Sequence, residues 1–194
     1  MHEDIEEILV TQEQIEAKVK ELGRQITQDY QGKNLLLLGI LKGAIPFIAD
    51  LSRAIDMLHE IDYMAVSSYG NATQSSGVVR ILKDLEGPID QKHVLIVEDI
   101  VDSGLTLHYM LDLLRQRRPL SLRVCTLLYK ERERARPLDL AYIGFRIPNL
   151  FVVGYGLDYA QRYRNLPYVG VLKPEIYQNS QKPERQHKSP AENS

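Results

Sequence analysis

The sequence predicts an α/β fold in which a mostly parallel sheet is flanked by helices. Two runs, Leu35 to Ile40 and Val94 to Val97, are apolar without polar alternation, as is typical of parallel strands that are covered on both faces. Between runs of this kind lie segments in which apolar residues recur at helical spacing. A chain of 194 residues is long enough for one such domain with a full core.

The elements follow from local signals along the chain. A first helix is predicted from Thr11, which can form a capping box with Gln14, to about Tyr30. A second helix follows the first strand over residues 44–55, where Pro46 is tolerated in the first turn, and a third begins near Gly104. The remaining predicted strands are residues 63–69, 78–82, 122–128, 141–145 and 151–153.

The stretch 94–106 carries the strongest chemical signal. Glu98 and Asp99 end its strand, and a small, hydroxyl-rich turn leads into the third helix. Backbone N–H groups and the helix dipole favour phosphate at such a turn. A simpler interpretation is that Asp102 or Ser103 only caps the helix. Capping does not explain two adjacent carboxylates at the end of a buried strand, which would repel each other and lose hydration without a cation or hydrogen-bond donors. The stretch therefore predicts a site for a phosphorylated sugar.

Composition limits the other function classes. A formal net charge of −2 argues against a protein that grips nucleic acid over a broad surface. The single cysteine, Cys125, lies in an apolar run and is expected to be buried, so no internal disulfide can form and a reducing compartment is favoured. No secretory leader or membrane-spanning run is evident, and the cytoplasm is the expected location.

The stretch 94–106 resembles the phosphoribosyl pyrophosphate (PRPP) signature of the phosphoribosyltransferases. Residues 145–159 and 162–167, together with 67–70 and 75–80, further resemble the bacterial hypoxanthine-guanine phosphoribosyltransferases, and the likeness covers roughly residues 10 to 178. It implies the type I phosphoribosyltransferase fold in one domain, residues 1–178, with a core over about 34–165. A small hood would come from the amino-terminal segment and about 166–178. Residues 179–194, which have few large apolar side chains, are expected to be a disordered tail.

The resemblance also implies roles at the sugar and phosphate end of the site. Glu98 and Asp99 would face the ribose hydroxyls, directly or through Mg²⁺. The turn around the 5′-phosphate would consist of Asp102, Ser103, Gly104, Leu105 and Thr106. Lys42 and Gly43 would belong to the pyrophosphate-binding loop, which contains a non-proline cis peptide in the purine-salvage branch, and Arg164 would contact pyrophosphate. On its own, Lys42 could equally be an ordinary surface lysine.

At the purine end, the resemblance implies that Lys130 donates to the 6-oxo group, Phe151 stacks on the base and the Val152 backbone meets its edge. Asp158, which lies in the same stretch 145–159 as Phe151 and Val152, would help to hold Mg²⁺. Asp102 would adjoin purine N7 as the general base or proton partner. In isolation, Phe151 would more simply be a core aromatic and Asp158 a turn carboxylate. The implied reaction converts PRPP and hypoxanthine or guanine to IMP or GMP and pyrophosphate.

Some expectations remain open at this level. The loop from Ser68 and Tyr69 to Gly77 is expected to be a flap that closes over substrates, although composition alone favours a floppy hairpin tip. Arg146 and Asn149 depart from common family residues, so a preference among hypoxanthine, guanine and xanthine is not determined. The family tends toward homodimers or homotetramers. A nucleic-acid-binding regulator on the same fold is a different-class alternative. It would need a basic face, but Arg115, Arg117 and Arg118, together with the charged run 130–134, are more simply solvated, partly self-paired surface charges.

Overall fold

The structure, a computed structural model, describes residues 1–68, 79–133 and 136–178. The α-helices are α1 (Gln12–Tyr30), α2 (Ile45–Ala54), α3 (Leu105–Arg115) and α4 (Pro174–Gln178). The strands are β1 (Ile5–Val10), β2 (Leu35–Leu41), β3 (Glu60–Ser68), β4 (Val79–Lys83), β5 (His93–Val101), β6 (Ser121–Lys130), β7 (Tyr142–Ile147), β8 (Val152–Val153) and β9 (Val169–Leu172). The predicted α/β class is confirmed.

A six-stranded sheet in the order β4-β3-β2-β5-β6-β7 forms the centre of the fold. Its strands are parallel except at the edge, where β4 pairs antiparallel with β3. Along β2, Leu35 and Leu37 pack into the core on one face, while Leu36 and Leu38 pack into a second core on the other. Because both faces of the strand are covered, its sequence shows no polar alternation.

The helices begin and end close to their predicted positions. Thr11 and Gln14 form the capping box of α1, in which the Thr11 hydroxyl accepts from the Gln14 N–H and the Gln14 side chain accepts from the Thr11 N–H. In α3, the buried residues recur at helical spacing on one face: Leu107, Met110, Leu111 and Leu114. The N-cap of α3 is Gly104, which makes no side-chain cap hydrogen bond. The Ser103 hydroxyl accepts from the N–H of Leu105, the first residue of α3, at a long 3.5 Å. The Asp102 carboxylate accepts from Lys130 and Arg132, so the interpretation of Asp102 as only a helix cap is wrong.

A second, three-stranded antiparallel sheet has the order β1-β9-β8. The sequence signals missed β1 and β9, as well as α4, and they overestimated β8, which contains only Val152 and Val153. Strand β1 is half exposed and contains two adjacent glutamates, so its sequence lacks clear alternation. This sheet and α4 include the segments that the domain prediction assigns to a hood; the domain boundaries themselves stay a prediction.

The predicted flap connects two strands that are paired where the structure describes them. Ser68, the last residue of β3, pairs with Val79 at the start of β4. Tyr69 and the rest of the loop to Gly77 lie outside the described residues, as does the predicted tail, residues 179–194. Among the helices in the described ranges, none combines the length and apolar character needed to cross a membrane.

Candidate active site

The predicted site residues lie at the carboxyl-terminal edge of the parallel sheet. Strand β2 leads into Lys42 and Gly43, β5 carries Glu98 and Asp99 close to its end, and β6 ends at Lys130. Because β2, β5 and β6 are neighbouring parallel strands, their carboxyl ends meet at one edge of the sheet. Residues that are far apart in the sequence are thereby placed on one surface.

The turn after β2 packs directly on the Asp99 side chain. A Cβ atom added to Gly43 would lie 1.6 Å from Oδ2 and 2.7 Å from Cγ of Asp99, so only glycine fits beside this carboxylate. The peptide bond between Leu41 and Lys42 is cis, as the resemblance implied for this loop. The Lys42-Gly43 turn and Asp99 therefore belong to one site, although they follow different strands and are distant in the sequence.

The loop after β8 closes the same site from the other side. A Cβ atom on Gly156, whose φ is +98°, would lie 2.0 Å from the Gly43 carbonyl oxygen. Arg164 donates from Nη1 to the Gly156 carbonyl at 2.7 Å, and its Nη2 lies 2.7 Å from Oδ1 of Asp158. The other Asp158 oxygen accepts from the Gln161 N–H at 2.9 Å. The structure thus brings Asp158 and Arg164 to the predicted site as an ion pair.

Burial raises the pKa values of the two adjacent acids, Glu98 and Asp99. It raises the pKa of Glu98 well above its usual range, and the neighbouring Asp99 carboxylate raises it further. Burial also raises the pKa of Asp99 to about 6, against the opposing effects of the Ile100 N–H and the Arg164 charge. Glu98 is buried and Asp99 partly buried, and the two carboxylates provide hard oxygen donors for a divalent cation.

The Glu98 and Asp99 carboxylates suit Mg²⁺ that is shared with water and substrate phosphates. Within residues 1–68, 79–133 and 136–178, no cluster of three or more His, Cys, Asp or Glu side chains could hold a metal ion by itself. Mg²⁺ is usually held by one or two carboxylates, together with water and substrate phosphates, rather than by a cage of protein ligands. Glu98 and Asp99 match that pattern, whereas Asp158 is already paired with Arg164.

The predicted phosphate turn lines a small cavity. Gly104 adopts a left-handed conformation with φ of 78°, and α3 starts at the next residue, Leu105. The cavity has a volume of about 140 Å³, and its lining includes Glu98 and the turn residues Asp102, Ser103, Gly104 and Thr106. A larger cavity of about 490 Å³ between α1 and α2 contains none of the predicted site residues. The smaller cavity is the one whose position matches the expected chemistry.

Asp102 lies between two cations. Its Oδ2 accepts from Lys130 Nζ at 3.0 Å, and its Oδ1 accepts from Arg132 Nη1 at 2.6 Å. Burial by itself acts to raise the pKa of Asp102, but these two hydrogen bonds hold it below its usual value. The two cations therefore keep this carboxylate ionised.

The charges that were expected to lie on the surface have different outcomes. The expectation is wrong for Lys130, whose side chain is only 11% exposed. Arg132 is exposed as expected, but the chain leaving β6 also carries it next to Asp102, the residue after β5. Arg115 and Arg117 do pair with acids, Asp112 and Asp84. Arg134 lies outside the described residues.

The aromatic part of the predicted site contains a partner that the sequence did not reveal. Phe151 is 38% exposed. Tyr177 of α4 stacks on it with ring centroids 4.8 Å apart and planes at 22°, and Tyr159 meets it edge to face. The neighbouring Val152 is buried in β8 and pairs with Val171. No local pattern in the sequence indicates Tyr177, since a five-residue helix carries too little periodicity.

Comparison with known proteins agrees with this geometry. The family model described as a phosphoribosyl transferase domain matches residues 6–160. The chain belongs to the phosphoribosyltransferase family. This phosphoribosyltransferase is 52% identical over 179 residues to the hypoxanthine-guanine phosphoribosyltransferase of Bacillus subtilis, a match that covers 92% of this chain and 99% of the relative.

Two further relatives of this phosphoribosyltransferase extend the comparison. It is 53% identical over 177 residues to the bifunctional protein TilS/HprT of Listeria innocua, covering 91% of this chain but only 27% of that relative's length. A solved hypoxanthine phosphoribosyltransferase from Staphylococcus aureus superposes with a TM-score of 0.88 at 51% identity, covering 91% of this chain and 96% of that one. The expected resemblance to the hypoxanthine-guanine enzymes and the expected type I fold are confirmed.

Proposed function

We propose that this phosphoribosyltransferase moves the 5-phosphoribosyl group from PRPP to N9 of hypoxanthine or guanine, and so forms IMP or GMP and pyrophosphate. The names of its relatives in Bacillus subtilis and Staphylococcus aureus support this purine-salvage activity. The cytoplasm as its location, and a homodimer or homotetramer as its assembly, are part of the same proposal by likeness to the family.

The observation that carries the substrate class is the contact between Lys130 and Asp102. The ammonium group can only donate and the carboxylate can only accept, and the two lie 3.0 Å apart. A 6-oxopurine that carries a proton on N7 offers an acceptor, O6, and a donor, N7–H, as neighbours on one edge. Adenine instead has a 6-amino group, which would face the Lys130 cation without an acceptor. The pair therefore favours hypoxanthine and guanine over adenine.

In the proposed reaction, side chains at the purine end accept a proton, and groups at the pyrophosphate end stabilise the leaving group. N9 of the purine forms a bond to C1′ of the ribose as the bond from C1′ to the pyrophosphate oxygen breaks. The proton on N7 passes to Asp102, which is ionised because its pKa lies below the usual value. Negative charge that develops on the leaving pyrophosphate is stabilised by Arg164 and by the amides of the Lys42-Gly43 turn. Phe151 holds the base by stacking.

Mg²⁺ is the proposed cofactor, and Glu98 and Asp99 would be its protein ligands. The same two carboxylates would also bind the ribose hydroxyls, directly or through the cation. When bound, the cation would neutralise charge on the pyrophosphate group. Asp158, which forms an ion pair with Arg164, would help to hold the cation. The turn from Asp102 to Thr106 would hold the 5′-phosphate, and closure of the flap that begins at Ser68 and Tyr69 would exclude water and limit PRPP hydrolysis.

A PRPP-dependent assay with Mg²⁺ across hypoxanthine, guanine, xanthine, adenine and uracil tests the proposal. We expect turnover of hypoxanthine or guanine and little with adenine or uracil, because a site that hydrogen-bonds the oxo group can reject an analogue without it by about 10⁴–10⁵. Lys130→Gln, whose amide can either donate or accept, should reduce the discrimination against adenine. Robust use of adenine with no use of oxopurines would contradict the role of Lys130.

A further inference from the structure

The Asp102 carboxylate is held at both oxygens, and each oxygen has its own cation. Lys130 occupies Oδ2 and Arg132 occupies Oδ1. The two cations differ in exposure, since the Lys130 side chain is 11% exposed and the Arg132 side chain 40%. Lys130 therefore faces the interior of the site, whereas Arg132 holds Asp102 from the solvent side.

The sheet explains why both cations reach one acid. Val101 of β5 pairs with Tyr129 of β6, so Asp102 and Lys130 follow at adjacent positions of neighbouring strands. The Glu131 N–H donates to the Ile147 carbonyl at 2.8 Å and extends the pairing beyond the end of β6. In extended chain, residues two apart project to the same side, which places Arg132 on the side of Lys130.

We propose that Arg132 is a positioning residue, which keeps the Asp102 carboxylate oriented toward purine N7 while Lys130 turns to the purine 6-oxo group. This inference rests on the proposed function. A bound oxopurine competes with Asp102 for the Lys130 ammonium, but it makes no demand on the more exposed Arg132. When Lys130 turns away, Oδ2 can accept from N7–H instead, and the bond from Arg132 to Oδ1 prevents the carboxylate from rotating with the ammonium.

The chemistry suits a guanidinium in this position. Its planar array of donors is rigid and permanently charged, so it fixes an acid in one orientation better than a flexible lysine does. In the reaction, the N7–H bond breaks and its proton moves to Oδ2 of Asp102, while N9 bonds to C1′ and pyrophosphate leaves with the electron pair. Arg132 forms no bond to the substrate and takes up no proton.

A double-mutant cycle with Asp102 tests the positioning role, with hypoxanthine and PRPP as substrates. We expect Arg132→Gln to lower kcat/KM for hypoxanthine by about tenfold or more, since a charge-assisted hydrogen bond is lost. The KM for PRPP should stay within about twofold, because the phosphate contacts are intact. In the Asp102→Asn background, Arg132→Gln should lower kcat/KM for hypoxanthine by less than about twofold, because the carboxylate that Arg132 positions is already altered. Arg132→Lys should restore part of the loss.

Arg115→Gln is the matched control, since it removes an exposed arginine that pairs with an aspartate, Asp112, outside the site. It should match the wild type, and melting temperatures should confirm that all variants are folded. Equal losses from Arg132→Gln in the wild-type and Asp102→Asn backgrounds, or no loss at all in an active enzyme, would overturn the positioning role alone. A wild type that uses no oxopurine would instead overturn the proposed function, and this inference with it.

Discussion

Replacing Gly43 by alanine should disable the site by displacing Asp99. The added Cβ would lie 1.6 Å from Asp99 Oδ2, whereas ordinary contacts begin near 3.4 Å, so the two groups must separate by about 1.8 Å. Gly43 has no positive φ value, so the alanine backbone itself is not strained. The whole effect of the substitution therefore comes from the lack of space beside the carboxylate.

Asp99 cannot easily yield this space. Its side chain is short, it is partly buried, and its Oδ1 accepts from the Ile100 N–H at 2.7 Å. Gly43 is also constrained on its other side, because its carbonyl oxygen occupies the space that a side chain on Gly156 would need. A misplacement of about 1 Å can cost roughly 10²-fold in rate, so we expect kcat/KM for PRPP to fall by at least about that factor. Overpacking should in addition lower the free energy of unfolding by about 1–3 kcal/mol.

Steady-state kinetics with varied PRPP, alongside thermal unfolding, measures both effects. Gly87→Ala is the matched control, because a Cβ atom there meets nothing within 4 Å. This control should keep wild-type kinetics. A Gly43→Ala enzyme whose kcat/KM for PRPP stays within about threefold of the wild type would refute the argument that Asp99 must remain where Gly43 allows it.

Three further predictions concern single side chains. Asp102→Asn should keep PRPP binding but lower turnover by about 10²–10⁴-fold, and unchanged turnover would remove Asp102 from the mechanism. Because burial raises the pKa of Asp99 to about 6, the folded protein holds this proton more tightly than the unfolded chain, whose aspartates titrate near about 3.9. As pH rises from about 3.9 to about 6, ionisation of Asp99 should therefore lower the free energy of unfolding of the ligand-free protein. Asp99→Asn removes this charge, so it should raise the melting temperature more at about pH 7.5 than at about pH 5. An equal rise at both pH values would count against a raised Asp99 pKa. Tyr177→Ala should raise the KM for hypoxanthine by about 2- to 10-fold with little change for PRPP, since a stacked aromatic pair contributes about 0.5–1.5 kcal/mol. A lower KM would mean that Tyr177 covers the face of Phe151 that the base needs.

The sequence by itself determined the parallel sheet and its three main helices, and it predicted the segments that the structure brings to one edge of that sheet. Strands such as β2 and β5, covered on both faces, have a composition that exposed strands do not share, and the capping box marks the start of α1 directly. The placement of Glu98 and Asp99 at the end of the buried apolar run 94–97 was also informative, because charge in that position needs a partner. These signals are local, so they can be read without knowing which segments meet.

Only the tertiary structure decided how the separate segments pair. The close approach of Gly43 to Asp99, the ion pair of Asp158 with Arg164 and the stack of Tyr177 on Phe151 all depend on how loops and elements fold against one another. The same is true of Arg132, whose charged neighbours in sequence suggested a solvated surface, although sheet pairing brings it to Asp102. Such contacts depend on strand order and loop path, and local sequence patterns carry information about composition and periodicity but not about which distant side chains become neighbours.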